Sequence, residues 1–524
     1  MTTSDSLYQS RLAMLSQSAN LPLLTRLQRG IEKEGLRCQP DGMIAQTRHP
    51  LGLGSALTHP SITTDYSESL LEFITPVFTS AHEALAYLDV AHRFAYTELN
   101  DELIWPASMP CILNGEMSVP IAEYGSSNLG KLKHVYRHGL WHRYGRIMQC
   151  ISGIHYNFSL PDDLLNALAQ ADGLDKADAD YGSTIYLRLI RNFQRHSWLL
   201  MYLFGASPAV CETFLEGEEH DLERLHKHTL YGPYATSLRM SDLGYQNNAQ
   251  SDLMVCHNSL ERYVTTLTKA LAINVPAYEE IGVQGEDGEY KQLNTHLLQI
   301  ENEYYSNIRP KRIGLPGEKP LQSLARAGIQ YIEVRCTDVN PLLPVGIDIP
   351  QMHFMDIFLT WCAITDSPEI DEEEYHRIRR NYTKAVNEGR RPELTLERGQ
   401  EEVTLTQWGL DIVESLRDLA QLLDTANGHC FHVDTLNQQR LKLADSSLTP
   451  SAKLLREMQE SGKEFATLTL EQAKQHRRVL SEPLAADLRD LWRITASKSR
   501  DEQLAMETDD VLPFADYLAS FLQR

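Results

Sequence analysis

The 524-residue sequence lacks several features that define common classes of protein. It has no run of about 18 apolar residues, the length that a membrane-spanning helix needs. Positive charge is scarce, because 49 Lys and Arg residues face 71 Asp and Glu residues and the formal net charge is −22. Such a chain repels nucleic acid and anionic lipid unless it carries a local basic patch. We therefore expect neither a nucleic-acid partner nor a membrane partner.

Paired cysteines and an export signal are also missing. The 8 cysteines are scattered, and no two of them form the C-x-x-C pair typical of zinc knuckles and thioredoxin-like sites. The first residues, Met1–Ser6, have neither the basic start nor the apolar stretch of a secretory signal. The sequence therefore predicts a cytoplasmic protein with reduced thiols.

The familiar motifs of nucleophilic and nucleotide-hydrolysing enzymes are absent as well. There is no G-x-S-x-G and no H-E-x-x-H. The segment Gly125–Lys131 has phosphate-loop spacing, but Leu132 stands where that loop needs Ser or Thr, so we reject a P-loop NTPase. A basic run nonetheless lies here, made of Lys131, Lys133, Arg137 and Arg143. It either anchors an anionic substrate or forms a solvated helix face.

The stretch Ile151–Leu160 alternates apolar and polar residues with the period of a β-strand. One face carries Ile154, Tyr156, Phe158 and Leu160, and the other carries His155, Asn157 and Ser159. A sheet can bury the first face in a core and turn the second towards a cleft. The polar face is then either a set of metal or phosphate contacts or an ordinary solvated surface.

Four other segments place polar groups in a similar setting, and we predict a strand for each. They are Ile31–Cys38 with Glu32 and Glu34, Leu70–Ile74 with Glu72, Leu297–Tyr305 with Glu301 and Glu303, and Gly328–Asp338 with Glu333 and Arg335. Taken singly, an acidic pair fits a solvent-facing strand edge. Glu72 is different, because a carboxylate in so apolar a segment needs a partner or a metal ion.

If these strands lie side by side, their polar faces form one surface of carboxylates, an imidazole and an amide. Crowded carboxylates repel one another, and divalent cations relieve that repulsion. An oxygen-rich set with one nitrogen and no thiolate prefers Mg²⁺ or Mn²⁺. Because Mg²⁺ commonly bridges to phosphate, the pattern indicates ATP-dependent activation of a carboxylate, with Glu333 and Arg335 at the phosphoryl group in transfer.

Beyond about residue 351 the sequence reads as helical and charged, without a dense cluster of chemically active residues. We therefore divide the chain into a catalytic region, residues 1–350, and a helical region, residues 351–524. The second region is either a separate domain or a layer packed on the same unit.

Several long segments resemble the bacterial glutamate–cysteine ligases of the monofunctional type. They are Gly54–His59, Ile62–Asp65, Leu70–Pro76, Trp105–Pro110, Ile151–Pro161, Leu203–Pro208, Pro233–Arg239 and Ile308–Arg312. The likeness runs from about Leu27 to beyond Trp361, and the helical tail resembles the family only loosely. It implies an α+β fold with a curved, mostly antiparallel sheet flanked by helices, similar to the glutamine synthetase catalytic core, with a helical C-terminal layer.

The resemblance also implies ligands and a reaction. ATP, L-glutamate and L-cysteine would be the substrates, and several Mg²⁺ or Mn²⁺ ions would assist. The γ-carboxylate of glutamate would be phosphorylated and then attacked by the amine of cysteine, giving γ-glutamylcysteine, ADP and phosphate in the first step of glutathione biosynthesis. Glutathione would be a feedback inhibitor, since it contains both substrate moieties.

Matching positions assign the residues. The metal-binding set would be Glu32, Glu34, Asp65, Glu72, His155, Asn157 and Glu333, and Arg335 would contact phosphate. The cysteine pocket would involve Tyr66, Tyr136, Arg239, Tyr245 and Tyr305, although the family often has Phe at the position of Tyr66. Asp65 rests on the resemblance alone, whereas Glu301 and Glu303 rest on spacing alone.

Two other readings remain open. The chain could be a carboxylate–amine ligase of the same fold with a different amine acceptor, since only the Tyr and Arg pocket distinguishes the two. It could also be a metal-dependent binding protein that binds ATP without turnover. We do not expect a fused enzyme that also adds glycine, because too little of this sequence follows residue 361 for a second ATP-dependent domain.

Overall fold

The computed structural model describes residues 3–215, 217–243, 250 and 253–523 of the chain. The strands are β1 Gln28–Cys38, β2 Ile62–Thr64, β3 Leu70–Ile74, β4 Leu103–Ile104, β5 Ile154–Ser159, β6 Ala209–Cys211, β7 Glu223–Arg224, β8 Thr229–Tyr231, β9 Ile308–Lys311, β10 Tyr331–Thr337, β11 Thr395–Arg398 and β12 Glu401–Thr404. The helices are α1 Thr3–Leu15, α2 Ala81–Glu98, α3 Asn128–Tyr144, α4 Asp162–Ala171, α5 Ala179–Phe204, α6 Leu260–Ala270, α7 Pro276–Ile281, α8 Pro320–Ala327, α9 Ile349–Ile364, α10 Glu372–Glu388, α11 Leu405–Ser415, α12 Arg417–Asn427, α13 Phe431–Ala444, α14 Pro450–Ser461, α15 Phe465–Leu480, α16 Ala486–Asp509 and α17 Phe514–Gln523.

One open sheet of seven strands organises the fold. Its order is β2-β3-β1-β5-β10-β9, and β4 pairs with the far end of β1. All neighbouring strands run antiparallel. The expected α+β fold with a mostly antiparallel sheet is therefore confirmed.

Strand β5 lies in the middle of this sheet, and its two faces divide as the alternation predicts. Ile154, Tyr156 and Phe158 are buried in the main core, and Leu160 continues the same face just beyond the strand. Each such side chain contributes roughly 1.5–3 kcal/mol when it leaves water. Helices α2 and α5 pack on this sheet, and α9 packs on both. The apolar layer thus fixes the opposite, polar face of β5 in place.

The C-terminal region is helical as expected, from α9 to α17, but it also contains the hairpin of β11 and β12, which the sequence pattern did not predict. The main core runs from Tyr8 to Ala496 and therefore joins residues on both sides of position 350. No helix in the described ranges is long and apolar enough to cross a bilayer. All eight cysteines fall within those ranges and are free thiols.

The prediction of a strand at Leu297–Tyr305 is wrong. The segment is irregular and contains a 3₁₀ turn at Glu301–Glu303. The cause is a contact from α3: Arg143 donates to the carbonyl oxygens of Asn294 at 2.6 Å and His296 at 3.0 Å. The chain leading into this segment is therefore wrapped around a guanidinium group and does not join a strand ladder.

A buried ion pair connects the sheet to the helical layer. The Arg29 guanidinium of β1 meets the Asp356 carboxylate of α9, with Nη2 to Oδ2 at 3.1 Å and side-chain exposures of 5% and 3%. The Tyr156 hydroxyl donates to the same carboxylate at 2.7 Å. Removing one partner would leave the other charge buried and unpaired, which is far more costly than losing an exposed pair.

We predict that Asp356→Asn lowers the free energy of unfolding by about 3–5 kcal/mol, because Arg29 loses its counter-ion inside the core. The matched control is Glu502→Gln in α16, whose pair with Lys498 is exposed (74% for Lys498 and 48% for Glu502). That change should cost no more than about 1 kcal/mol. Urea unfolding followed by circular dichroism measures both, and equal midpoints for the two variants would contradict the prediction.

Candidate active site

A cavity of about 640 Å³ opens on the polar face of the sheet. Its wall contains most of the site residues expected from the sequence: Glu32, Glu34, Asp65, Tyr66, Glu72, Tyr136, His155, Arg239, Tyr305, Glu333 and Arg335. Asn157 lies beside the cavity and is not part of its wall. Tyr245 lies outside the described residues.

The antiparallel register brings the acidic residues together. Glu32 of β1 stands opposite His155 of β5, and Glu34 stands opposite Glu72 of β3. On the other side of β5, Asn157 stands opposite Glu333 of β10. Directly opposed residues have Cβ atoms about 4.5–5.5 Å apart. Four neighbouring strands, β3, β1, β5 and β10, therefore form one continuous row of polar groups.

Hydrogen bonds hold the middle of this row in a fixed geometry. His155 Nδ1 lies 3.1 Å from Glu32 Oε2 and 3.5 Å from Glu333 Oε1. Asn157 Nδ2 donates to Glu32 Oε1 at 2.9 Å. Arg335 Nη1 donates to Glu333 Oε1 at 3.0 Å, and Lys311 Nζ lies 3.3 Å from Glu333 Oε2. Asn157 therefore orients Glu32, while two cations hold Glu333.

The carboxylates fall into two electrostatic groups. Burial acts to raise the pKa of Glu333, but Arg335 and Lys311 hold that pKa well below its usual value. Burial likewise opposes ionisation of Glu32, yet its bond with His155 lowers its pKa. At the β3 end, burial raises the pKa of Glu34. Burial also raises the pKa of Glu72 well above normal, with further contributions from Glu32, Asp65 and Glu34.

The acidic end has the donor set of a hard divalent cation. Glu32, Glu72 and His155 each offer one ligand atom, and these atoms lie within 4.8 Å of one another. Glu34 and Asp65 stand in the same wall. Asn157 Oδ1 is buried and has no hydrogen-bond partner among the described residues. Oxygen-rich sites of this kind suit Mg²⁺ or Mn²⁺, and a cation would remove the repulsion that raises the pKa of Glu72.

A basic wall faces this acidic end. From α3 come Lys133, Arg137 and Arg143, and from β9 come Arg309 and Lys311. Burial lowers the pKa of Lys133 to about 8, with a further contribution from Arg137. Burial also lowers the pKa of Arg309 to about 10. The sequence left open whether the basic run of α3 contacts an anion or solvent. Three of the four residues of this run line the cavity.

A third part of the wall combines aromatic rings with one arginine. Arg239 Nη2 donates to the carbonyl oxygen of Arg335 at 2.7 Å, so the guanidinium is anchored to the end of β10. The Tyr66 hydroxyl is buried without a hydrogen bond among the described residues, and burial raises its pKa. Burial raises the pKa of Tyr136 in the same way. This end is less acidic and more apolar than the carboxylate row.

A buried carboxylate positions Arg239. Asp338 follows β10, and its Oδ2 accepts from the Ser207 hydroxyl at 2.7 Å and from the backbone N–H of Ala206 at 2.8 Å. Its Oδ1 accepts from the Ser237 hydroxyl at 2.9 Å. The loop that carries Arg239 is thereby tied to the sheet.

The two acids expected from spacing alone have separate positions. Glu301 accepts from the backbone N–H of Leu321 at 3.2 Å and does not line the cavity. Glu303 does line it, where it accepts from the Tyr144 hydroxyl at 2.7 Å and pairs with Arg143 at 3.3 Å. Neither belongs to the carboxylate row.

The segment Ile308–Arg312 is a cationic cluster, with Arg309, Lys311 and Arg312, and the sequence pattern assigned it no role. In the structure this cluster is β9, the strand next to β10, and Glu333 stands opposite Arg309. The signal available in the sequence was the alternation of Arg309 and Lys311, which puts both side chains on one face of a strand. What the sequence did not reveal was that β9 pairs with the strand of Glu333.

Comparison with known proteins gives a consistent result. A family model described as glutamate-cysteine ligase matches residues 12–385. A glutamate–cysteine ligase of Pseudomonas paraeruginosa is 52% identical over 516 residues, covering 98% of each chain. The corresponding protein of Pseudomonas putida is 51% identical over the same length. The similarity therefore extends through the helical tail, where sequence reasoning saw only a loose resemblance.

Two solved structures share the fold. Glutamate–cysteine ligase from Francisella tularensis, solved in complex with AMP, superimposes with a TM-score of 0.89 at 34% identity, covering 95% of this chain and 98% of that one. A bifunctional glutathione synthetase from Pasteurella multocida superimposes with a TM-score of 0.73 at 25% identity, covering 94% of this chain but 58% of that one.

We predict that Glu72→Gln stabilises the metal-free protein and weakens its binding of a divalent cation. In metal-free buffer the melting temperature should rise, because burial and the neighbouring carboxylates raise the pKa of Glu72, so that folding makes it either keep a disfavoured charge or take up a proton. Affinity for Mn²⁺, measured by the loss of its free electron paramagnetic resonance signal, should fall at least tenfold, because a ligand is lost. Glu303→Gln is the control, since Glu303 is held by Arg143 and Tyr144, and unchanged Mn²⁺ affinity in Glu72→Gln would refute the assignment.

Proposed function

The chain belongs to the glutamate–cysteine ligase family, and from that premise we propose a two-step, ATP-dependent reaction in the cavity. The family's reaction joins the γ-carboxylate of L-glutamate to the amine of L-cysteine, with release of ADP and phosphate. The observation that supports it best is the continuous row of carboxylates facing a basic wall, since phosphoryl transfer needs positioning and charge neutralisation more than a nucleophile.

In the first step, a γ-carboxylate oxygen of glutamate attacks the γ-phosphorus of ATP, and ADP leaves. In the second step, the cysteine nitrogen attacks the γ-carbonyl carbon of the acyl phosphate, and phosphate leaves with the oxygen that glutamate supplied. The amine must lose a proton, which passes to solvent or to a cavity base. The products are γ-glutamylcysteine, ADP and phosphate.

The acidic end would hold the metal ions. The proposed set is Glu32, Glu34, Asp65, Glu72, His155, Asn157 and Glu333, with Mg²⁺ as the first choice and Mn²⁺ as its substitute. When bound, these ions would neutralise the phosphate oxygens of ATP and hold the transferring group in line. His155 bridges Glu32 and Glu333 at 3.1 and 3.5 Å, so it keeps the two ends of the set in register. Asn157 would act chiefly by orienting Glu32.

Arg335 is the proposed contact to the transferring phosphoryl group. Its guanidinium is anchored to Glu333 at 3.0 Å, so it is positioned before substrate arrives. Lys311 shares the same carboxylate and adds a second positive charge beside it. Both charges are then available to oxygen atoms that gain negative charge in the transition state. Because Glu333 fixes Arg335, we assign Glu333 and Arg335 together to this step.

The aromatic end of the cavity is the proposed cysteine site. Arg239 supplies a fixed cation for the α-carboxylate of an amino acid, and Tyr66, Tyr136 and Tyr305 supply rings and hydroxyl groups in the wall of the same cavity. Tyr245 is carried over from the family resemblance. We also propose that residues 1–350 form the catalytic region. Residues 351–524 would form a helical layer packed on it as one unit.

The reaction is tested by ADP release in a coupled assay with glutamate, ATP and Mg²⁺. We predict that turnover requires L-cysteine, and that ¹⁸O from the γ-carboxylate of labelled glutamate appears in the released phosphate. Equal rates without cysteine or with an unrelated amine would contradict the choice of acceptor. Phosphate free of ¹⁸O would contradict the acyl-phosphate intermediate.

The variants Glu333→Gln and His155→Ala serve as site controls in this assay. Both should lose turnover by at least a hundredfold with the fold intact, because each removes a group that fixes the metal set. Glu301→Gln is matched to Glu333→Gln and should keep near-normal activity, since Glu301 lies outside the cavity wall. Near-normal rates in either site variant at saturating Mg²⁺ would remove the support for this site.

We further predict that glutathione inhibits competitively with respect to glutamate. It carries a γ-glutamyl group joined to cysteine, and a cavity of about 640 Å³ is large enough for such a peptide. Initial-rate measurements at several glutamate concentrations test this, with oxidised glutathione for comparison. A purely uncompetitive pattern would place glutathione elsewhere.

A further inference from the structure

A second cavity, of about 320 Å³, lies on the reverse side of the sheet. Four imidazoles line it, those of His82, His353, His429 and His432, together with the ion pair of Arg29 and Asp356. The Asp424 carboxylate lies beside the cavity, with its Oδ1 2.8 Å from His432 Nδ1, and we call the four histidines and Asp424 the histidine cavity. Arg29 in its wall precedes Glu32 by three positions on β1 and therefore points to the opposite face. The described residues that line the two cavities are entirely different.

Three of these side chains converge on one point. Asp424, His429 and His432 each offer a ligand atom, and the three atoms lie within 4.8 Å of one another. Asp424 Oδ1 lies 2.8 Å from His432 Nδ1 and 3.1 Å from His429 Nδ1. Ligands that hold Zn²⁺ tetrahedrally at about 2.0–2.1 Å lie about 3.3 Å apart. The two distances from Asp424 Oδ1 are thus within about 0.5 Å of the spacing between the ligands of a bound ion.

The turn between α12 and α13 brings these three side chains together. Asp424 lies in the last turn of α12, and Gly428 follows the helix with φ of 70°, a left-handed conformation that glycine adopts without strain. The turn then brings His429 back beside Asp424, and α13 begins at Phe431 with His432 in its first turn. The ligands thus come from one segment with the spacing D-x₄-H-x₂-H.

Helix capping explains Asp424 but not the histidines. The backbone N–H groups of His432 and Val433 each donate to Asp424 at 2.9 Å, as a cap would require. Three nitrogen atoms lie within reach of Oδ1, the backbone nitrogen of His432 and the Nδ1 atoms of His429 and His432. His429 Nδ1 also accepts from the backbone N–H of Phe431 at 3.4 Å. A cation shared by the carboxylate and the imidazoles would resolve that crowding.

Further imidazoles stand across the cavity. The ring of His353, from α9, lies 4.6 Å from that of His432 and 6.0 Å from that of His429. His353 is buried, and its ring lies among those of His82, His429 and His432. The ring of His82, at the start of α2, lies 5.9 Å from that of His353. A nitrogen-rich set of this kind favours Zn²⁺ and similar transition metals over Mg²⁺.

We propose that the histidine cavity is a second metal site, selective for a divalent transition metal and independent of the carboxylate site. Asp424, His429 and His432 are its ligands, and His353 is near enough to complete the coordination by turning its ring. The ion would tie the turn between α12 and α13 to α9, which carries Asp356 behind the catalytic sheet. Its role is structural and does not depend on the reaction proposed above.

The test uses the tag-free full chain and Zn²⁺ as the probe, in a large excess of Mg²⁺ to occupy the carboxylate site. We expect one Zn²⁺ per chain by equilibrium dialysis and metal analysis, and a melting temperature that rises with Zn²⁺ concentration. His429→Gln should weaken binding at least tenfold, because glutamine keeps the volume and the contact to Asp424 but ligates poorly. His376→Ala, which removes an exposed histidine of α10, should bind as the unchanged chain does.

Co²⁺ distinguishes the two sites by their ligands. Bound in the histidine cavity, it should give the intense visible absorption of a tetrahedral nitrogen site, lost in His429→Gln and in His432→Ala and retained in Glu72→Gln. Circular dichroism checks that each variant is folded. If His432→Ala does not fold, His429→Gln still tests the proposal, because His429 is partly exposed. No stoichiometric Zn²⁺, or loss of binding in Glu72→Gln alone, would overturn the proposal.

Discussion

The repulsion between carboxylates on neighbouring strands is the constraint on which this structure depends. The register places Glu34 directly opposite Glu72, with Glu32 two residues away on the same face. Like charges in that arrangement destabilise a sheet. The chain tolerates them because the other face of the same strands is buried in a dense apolar core, and because cationic or hydrogen-bonded groups hold the remaining acids. Repulsion is therefore unrelieved at the β3 end of the site and is neutralised at the β10 end, and this difference supports the placement of the proposed cations at the β3 end.

Much of this could be predicted from sequence because the period of a strand is local. Alternation alone identified which side chains of Ile154–Ser159 enter the core and which lie on the opposite, polar face, and it placed Glu32, Glu34 and Glu333 on that polar face too. It failed at Leu297–Tyr305, because a guanidinium from α3 binds the backbone of the residues just before this segment, Asn294 and His296. That contact joins residues about 150 positions apart, and no local pattern records it.

Non-local pairing accounts for the other gaps. Lys311 was visible as part of a cationic cluster, but its role depends on β9 lying next to β10. Asp65 follows a three-residue strand in a loop, so only the family resemblance could single it out. The histidine cavity is assembled from α2, α9 and the turn between α12 and α13, and its members are spread over 350 residues of sequence. The sequence pattern therefore predicted which side chains lie on each face of the strands. It did not predict which side chains other elements place beside those faces.

Helix α16 affects the order in which parts of the protein can fold. Ser499 of α16 accepts a hydrogen bond from the backbone N–H of Ser55 at 3.0 Å, across 444 positions of sequence. Asn128, at the start of α3, donates to the carbonyl oxygen of Leu512 at 2.9 Å. The loop leading to Asp65 and the helix carrying Lys133 are thus held by residues far along the chain. During translation Ser55 and Asn128 emerge 444 and 384 positions before these partners, so both contacts form late in folding.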